Sequence, residues 1–215
     1  MASDWTRPFP PNKHLHFSPL RRTQECQDTD GKKYLIFVQN EEFSCALAAT
    51  AILIRLLDPT AFSDGDAEEV KLKAISAKFP GSLRDSDKLW AKEAVGSYGS
   101  LQFGTYTENV VKLLKSQNVK LNGRDSAVWD GVNGFYSSFV SPNTAKLSRP
   151  AIMLWGWYRN GPRGQRGGGH FTTIAGMSKA GNMIVLDPWD GSLSEINPTG
   201  PYKGTGYAEV LIYCA

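Results

Sequence analysis

The longest apolar run, CALAATAILIRLL from Cys45 to Leu57, is hydrophobic on every side of a helical projection, with its first charge at Arg55. Such a helix must be covered all round, so the pattern predicts a helix in the middle of the protein, starting at Cys45 with Ser44 as N-cap. Just before it, YLIFV (Tyr34 to Val38) reads as a short strand. Helical spacing recurs in DAEEVKLKAISAKF, capped by Ser63 or Asp64, in Ser86 to Val95, and from Thr107 through NVVKLLKSQN into a short extended VKL. Aromatic spacing over Asp125 to Val140 slightly favours helix, broken near Gly131 to Gly134. After Pro150 the pattern changes. AIMLWGWY, HFTTIAGM, MIVLD and AEVLIYC are short β-branched or aromatic runs divided by Gly, Pro and Asn, the marks of strands. The expected class is therefore α+β: a helical part over about 40–140 and an antiparallel sheet over about 150–215. Residues 1–30, polar and holding Pro8, Pro10, Pro11 and Pro19, read as an extended N-terminal arm.

The 215 residues suffice for one domain or for two lobes sharing a cleft. A net charge of +3 argues for neither nucleic acid nor an acidic membrane as partner. The apolar run is too short to cross a bilayer. MASDWTRPFPPNKHLHF has no apolar core followed by small residues, so the chain is expected in the cytoplasm, or exported by a dedicated secretion system without a cleaved signal peptide. Three cysteines without a CxxC pair exclude a zinc knuckle and a full disulfide framework, leaving a single Cys26–Cys214 bridge or, in a chain without a signal peptide, reduced thiols. His14 and His16 have no Cys or His nearby to complete a metal site. The one biased segment, Arg159 to Gly169, sets Arg159, Arg163 and Arg166 among glycines; it lacks the Lys-Ser/Thr of a phosphate-binding loop and reads as a solvated loop or as a flap reaching an acidic substrate.

The candidate chemistry lies in four residues. A thiol in the first turn of a helix meets unpaired backbone N–H groups and the positive end of the dipole, which favour thiolate, the nucleophilic form; the bland alternative for Cys45 is a small buried hydrophobe. Gln39, six residues earlier in the strand–helix turn, can direct its side-chain N–H₂ toward the helix start and, with the Cys45 backbone N–H, form an oxyanion hole; otherwise it is a solvated loop residue. His170 is the sole histidine outside the arm and so the only base available to the thiol. A four-residue loop Ser178 to Gly181 would pair Met177 with Asn182 and put Asp187 opposite Thr172, on the same face as His170. Asp190 would then fall on the other face, and a one-residue slip would reverse the choice. Trp155, Trp157 and Trp189 gather around these positions as candidate substrate-groove residues, with core packing the alternative.

At these residues the chain resembles papain-superfamily cysteine peptidases, most of all the bacterial branches that include double-glycine leader peptidases and certain protease effectors of plant pathogens. The resemblance rests on Q-x5-C opening the central helix, GGGH starting a strand, VLDPWDG closing the next, and the intervening GTYTENVVKLLKSQNV; it covers roughly residues 30–215. It implies a papain-like catalytic domain over 31–215, with a helical left lobe, a β-barrel right lobe and a cleft between them. In that scheme Cys45 is nucleophile, His170 general base and acid, Asp187 the orienting residue and Gln39 the oxyanion donor, with no cofactor and no metal. Two departures bear on substrate: Ala46 follows the nucleophile where many relatives carry glycine, and no transporter portion is present. The expected activity is cleavage of a peptide or protein through a thioester acyl-enzyme. The same triad would serve a deamidase, an acyltransferase or a cell-wall amidase, and a non-catalytic papain-fold binding module is the remaining alternative.

Overall fold

The structure, a computed structural model, describes residues 23–39, 45–61, 107–126, 144–158, 161 and 166–215. The helices expected over 66–79 and 86–95, the Ser44 cap and most of the N-terminal arm lie outside these residues. Among the described residues the chain runs β1 (Thr23–Gln27), β2 (Lys33–Phe37), α1 (Cys45–Leu57), α2 (Thr107–Ser116), β3 (Leu121–Ser126), α3 (Thr144–Leu147), β4 (Ala151–Tyr158), β5 (Arg166–Met177), β6 (Met183–Leu186), β7 (Leu193–Ile196) and β8 (Gly206–Cys214). β1 and β2 form a two-stranded hairpin, and the other six strands form one antiparallel sheet in the order β3-β8-β4-β5-β6-β7.

The central element is α1. Every residue from Ala46 to Ile54 is buried, the outcome its unbroken apolar pattern demands. On one side, Ala46, Ala49 and Leu53 pack with Ile152, Phe171, Val210 and Ile212 of the sheet and with Val110 and Leu114 of α2. On another, Leu47, Ala51, Ile52 and Ile54 meet Tyr34, Ile36 and Phe37 of the hairpin and Ile184 and Leu186 of β6. The Thr173 hydroxyl pins helix to sheet by donating to the Ala49 carbonyl at 2.7 Å. The alternate positions Ala151, Met153, Trp155 and Trp157 of β4 turn the opposite way, into a second core with Val185, Trp189, Tyr202 and Leu211. β4 therefore feeds two cores, which is why AIMLWGWY is apolar throughout rather than alternating.

The structure corrects the sequence reading in four places. β3 lies before residue 150, within the part expected to be helical, and takes in Asp125 and Ser126; it is an edge strand with Asn122 and Arg124 exposed, and that polar face hides it from a search for apolar runs. β7, LSEI, is the opposite edge and is hidden for the same reason. Thr23–Gln27 of the expected arm is a paired strand. Arg166 to Gly169, expected in a loop, is the first part of β5, with Arg166 opposite Tyr158 and Gly168 opposite Trp157. All three cysteines are free thiols: Cys26 pairs with Tyr34 in the hairpin, whereas Cys214 pairs with Leu121 in the large sheet. Among the described residues no helix is long and apolar enough to cross a membrane.

Candidate active site

Cys45 is the first residue of α1 and only partly buried, although the nine residues after it are fully enclosed. Its position at the helix start gives the sulfur the unpaired N–H groups of the first turn as neighbours. His170 sits in β5 directly opposite Trp155 and retains 3% exposure. Cys45 lies near enough to His170 to favour its protonated form, and His170 Nε2 lies 2.7 Å from Asp187 Oδ1. A carboxylate only accepts, so the Nε2 proton is the donor in that contact and Nδ1 is the ring nitrogen left for the thiol. Thiol, imidazole and carboxylate are thus in series, reached from α1, β5 and the end of β6.

The β5–β6 hairpin brings Asp187 to His170 through a register that differs from the expected one at the turn. The hairpin pairs Met177 with Met183, one residue later than the expected Met177–Asn182 pairing. Between Ile174 and Gly176 the register then shifts back, with Ala175 as the extra residue, so Thr173 opposes Leu186 as it would in the expected register. Gly176 carries φ +135° at this irregularity, a conformation that favours glycine. The longer turn and the bulge cancel, and Asp187 comes to the face of His170.

Asp187 has no solvent exposure, so its charge must be compensated inside the protein. Four donors do this. Oδ1 accepts from His170 Nε2 and from the Trp189 backbone N–H at 2.8 Å. Oδ2 accepts from the Tyr202 hydroxyl at 2.5 Å and from Lys203 Nζ at 2.7 Å. Burial opposes the charge, but His170 and Lys203 outweigh it and hold the Asp187 carboxyl well below the usual carboxylate range. Burial likewise disfavours imidazolium, yet the Asp187 charge and the bonds to Asp187 and Cys45 prevail, pushing His170 up to about 10. These contacts favour the protonated ring. Asp190, the aspartate that parity disfavoured, is exposed and bonds Lys203 Nζ at 2.9 Å.

Aromatic rings enclose the imidazole. Trp157 stacks on it at 6.3 Å between centroids and Trp189 meets it edge-on at 6.1 Å. Trp155 takes the core-packing alternative: it has no exposed surface, donates Nε1–H to Thr172 Oγ1 at 2.8 Å and stacks on Tyr202. Trp157 and Trp189 are nearly as buried, at 7% and 8%, and their role is to box His170 rather than to offer a broad contact surface.

Gln39 lies two residues past the end of β2 and has no exposed surface, so it is not a solvated loop residue. Its backbone N–H donates to the Pro188 carbonyl at 2.7 Å, which ties the end of the hairpin to the residue after Asp187. Residues 40–44, which lead on to Cys45, lie outside the described residues. Tyr202 and Lys203 were missed by sequence reasoning. They sit in PYKGTG, whose Pro and Gly content marks a turn and gives no sign of a long-range role. Among the described residues no group of three or more His, Cys, Asp or Glu side chains could hold a metal ion. No protein-family model matches the chain, and a search of curated proteins finds no match.

Proposed function

We propose that the protein is a papain-like cysteine peptidase that cleaves a peptide or protein substrate. The observation that carries this reading is the placing of Cys45, His170 and Asp187: a partly accessible thiol at a helix start, and an imidazole held through Nε2 by a buried carboxylate. The Cys45 thiolate attacks the substrate carbonyl carbon, forming a C–S bond while the carbonyl electrons move to oxygen. The Gln39 side-chain amide and the Cys45 backbone N–H receive that oxyanion. As the intermediate collapses, the C–N bond breaks and His170 gives its Nδ1 proton to the leaving amine. Neutral His170 then takes a proton from water, which hydrolyses the thioester and releases the acid. Asp187 holds the ring with Nε2–H inward throughout, keeping Nδ1 available for these transfers.

Mass spectrometry of peptides incubated with the protein tests the proposal. Cleavage yields two fragments, whereas a deamidase returns an intact peptide altered at one amide. Cys45→Ala is expected to abolish product, and an alkylating probe is expected to mark Cys45 ahead of Cys26 and Cys214. Undiminished turnover in Cys45→Ala would sink the scheme. A Cys45 no more reactive than an ordinary exposed thiol would favour a binding module.

A further inference from the structure

Asp187 serves two cations at once. Its Oδ1 faces His170, while its Oδ2 takes Lys203 Nζ at 2.7 Å together with the Tyr202 hydroxyl. Lys203 is held there by more than attraction. It occupies the left-handed region, φ +45°, unusual for a residue with a side chain, in a tight loop where Tyr202 and Gly206 exchange backbone hydrogen bonds of 2.8 Å. Gly204, at φ +82°, completes the turn. Strain of this kind persists where the surroundings over-determine it. Here Nζ also bonds Asp190 Oδ2 at 2.9 Å and lies over the Tyr202 ring at 5.4 Å, and Tyr202 is fixed by stacking on Trp155 at 4.9 Å and Trp157 at 6.1 Å.

We propose that Lys203 is a positioning residue that weakens the grip of Asp187 on the His170 proton, so that the imidazolium can give it up to a leaving amine. This inference rests on the peptidase reading. The logic is electrostatic: a fully buried carboxylate facing imidazolium alone would bind that proton too firmly for efficient transfer, because an acid works best when its proton affinity lies near the working pH. A second cation on the other oxygen lessens the negative field at the ring and keeps Asp187 ionised in acid. Among the described residues, the charged and titratable groups shown acting on this set include Cys45 from α1, His170 from β5, Asp190 from the turn after β6, and Tyr202 and Lys203 from the loop before β8. Tyr202 contributes a hydrogen bond without charge, so of the two partners of Oδ2 it is Lys203 whose removal changes the field.

The test compares full-length wild type, Lys203→Met and Lys203→Arg by two readouts: the NMR titration of the His170 imidazole, and the rate of Cys45 alkylation by iodoacetamide as a function of pH. Lys203→Met is expected to raise the His170 titration and both limbs of the alkylation profile by about one pH unit, the scale of a neighbouring-charge effect, and Lys203→Arg to restore them. Should Lys203→Met fail to fold, Lys203→Gln, which keeps a polar donor without the charge, carries the same expectation. A residue that served stability alone would lower the melting temperature and leave both profiles in place, and that result overturns the inference. If wild-type Cys45 reacts no faster than a free-cysteine peptide, the peptidase reading fails instead. If wild type reacts rapidly and the Lys203→Met profiles superimpose on it, the peptidase reading stands and the role of Lys203 falls.

Discussion

Gly191 is wedged against Gln24 of the β1–β2 hairpin: a Cβ at Gly191 would come within 2.8 Å of Gln24 Cδ and 2.9 Å of Val38 Cγ2. The same glycine donates its N–H to the Asp187 carbonyl at 3.0 Å, accepts from Cys26 Sγ at 3.4 Å, and has φ +70°. The turn that follows the buried carboxylate is therefore shaped by the hairpin. Gly191→Ala meets both a strained backbone and occupied space, and is expected to cost about 1–3 kcal/mol of stability. It is also expected to slow Cys45 alkylation, since Asp187 is displaced with the turn. Urea denaturation and a probe-labelling time course measure the two effects. Wild-type values in both would show that the hairpin does not brace the site.

The pH dependence of stability follows from the signs of two shifts. The folded-state value of His170 is raised from 6.5 to about 10, so its stabilising contribution is complete below about pH 6.5 and is lost as pH rises through about 10. The Asp187 value is lowered from 3.8, so its contribution is present above about pH 3.8 and is lost as pH falls below it. The urea midpoint is expected to be highest and flat between about pH 4 and 6.5 and to decline on either side. Asp187→Asn removes the Asp187 titration and the largest cause that raises His170, and is expected to flatten most of the profile. A wild-type midpoint that keeps rising from pH 6.5 to 9 would contradict the raised His170 value.

The Thr173–Ala49 bond offers a stability probe away from the chemistry. It is a buried bond between β5 and α1, and Thr173 has no exposure. Thr173→Val keeps the shape and removes the donor, so a loss of about 1 kcal/mol is expected. Cys45 reactivity should change little, because Thr173 touches none of the thiol, imidazole and carboxylate groups. A large loss of labelling with a small loss of stability would mean that this bond also sets the position of the α1 start.

The elements most legible in the sequence are those whose environment is uniform. β4 was expected as AIMLWGWY and forms as Ala151–Tyr158, because two cores claim its two faces. α1 was equally plain, being covered all round. β3 and β7 were not legible, since an edge strand with a solvated face carries little apolar signal. The pairing of Asp187 with His170 was reached from an assumed register that the turn does not keep; the bulge at Ala175 restored it, and its one mark in HFTTIAGM is Gly176, a lone glycine in a strand run. Lys203 was beyond reach for a different cause. Its partner lies sixteen residues away across a loop closure that only tertiary packing defines.

The choice between two nearby aspartates is the sharpest check on the site. Asp187 is fully buried and binds the imidazole directly, whereas Asp190 is exposed and touches the network only through Lys203. Asp187→Asn keeps one acceptor oxygen and turns the other into an N–H₂ donor, which opposes Nε2–H if it faces His170 and opposes Lys203 Nζ if it faces the lysine. In either orientation the negative charge that orients and stabilises the imidazolium is gone. Turnover is expected to fall by roughly two to four orders of magnitude, as when a triad carboxylate is removed elsewhere. Asp190→Asn leaves the imidazole contact whole and removes one exposed ion-pair partner of Lys203, so activity is expected to stay within about threefold, in line with the small worth of exposed ion pairs. Measuring kcat/KM for both variants against one cleaved peptide separates the roles. Equal losses would mean that the carboxylates act as one network through Lys203, and a larger loss for Asp190→Asn would reverse the assignment.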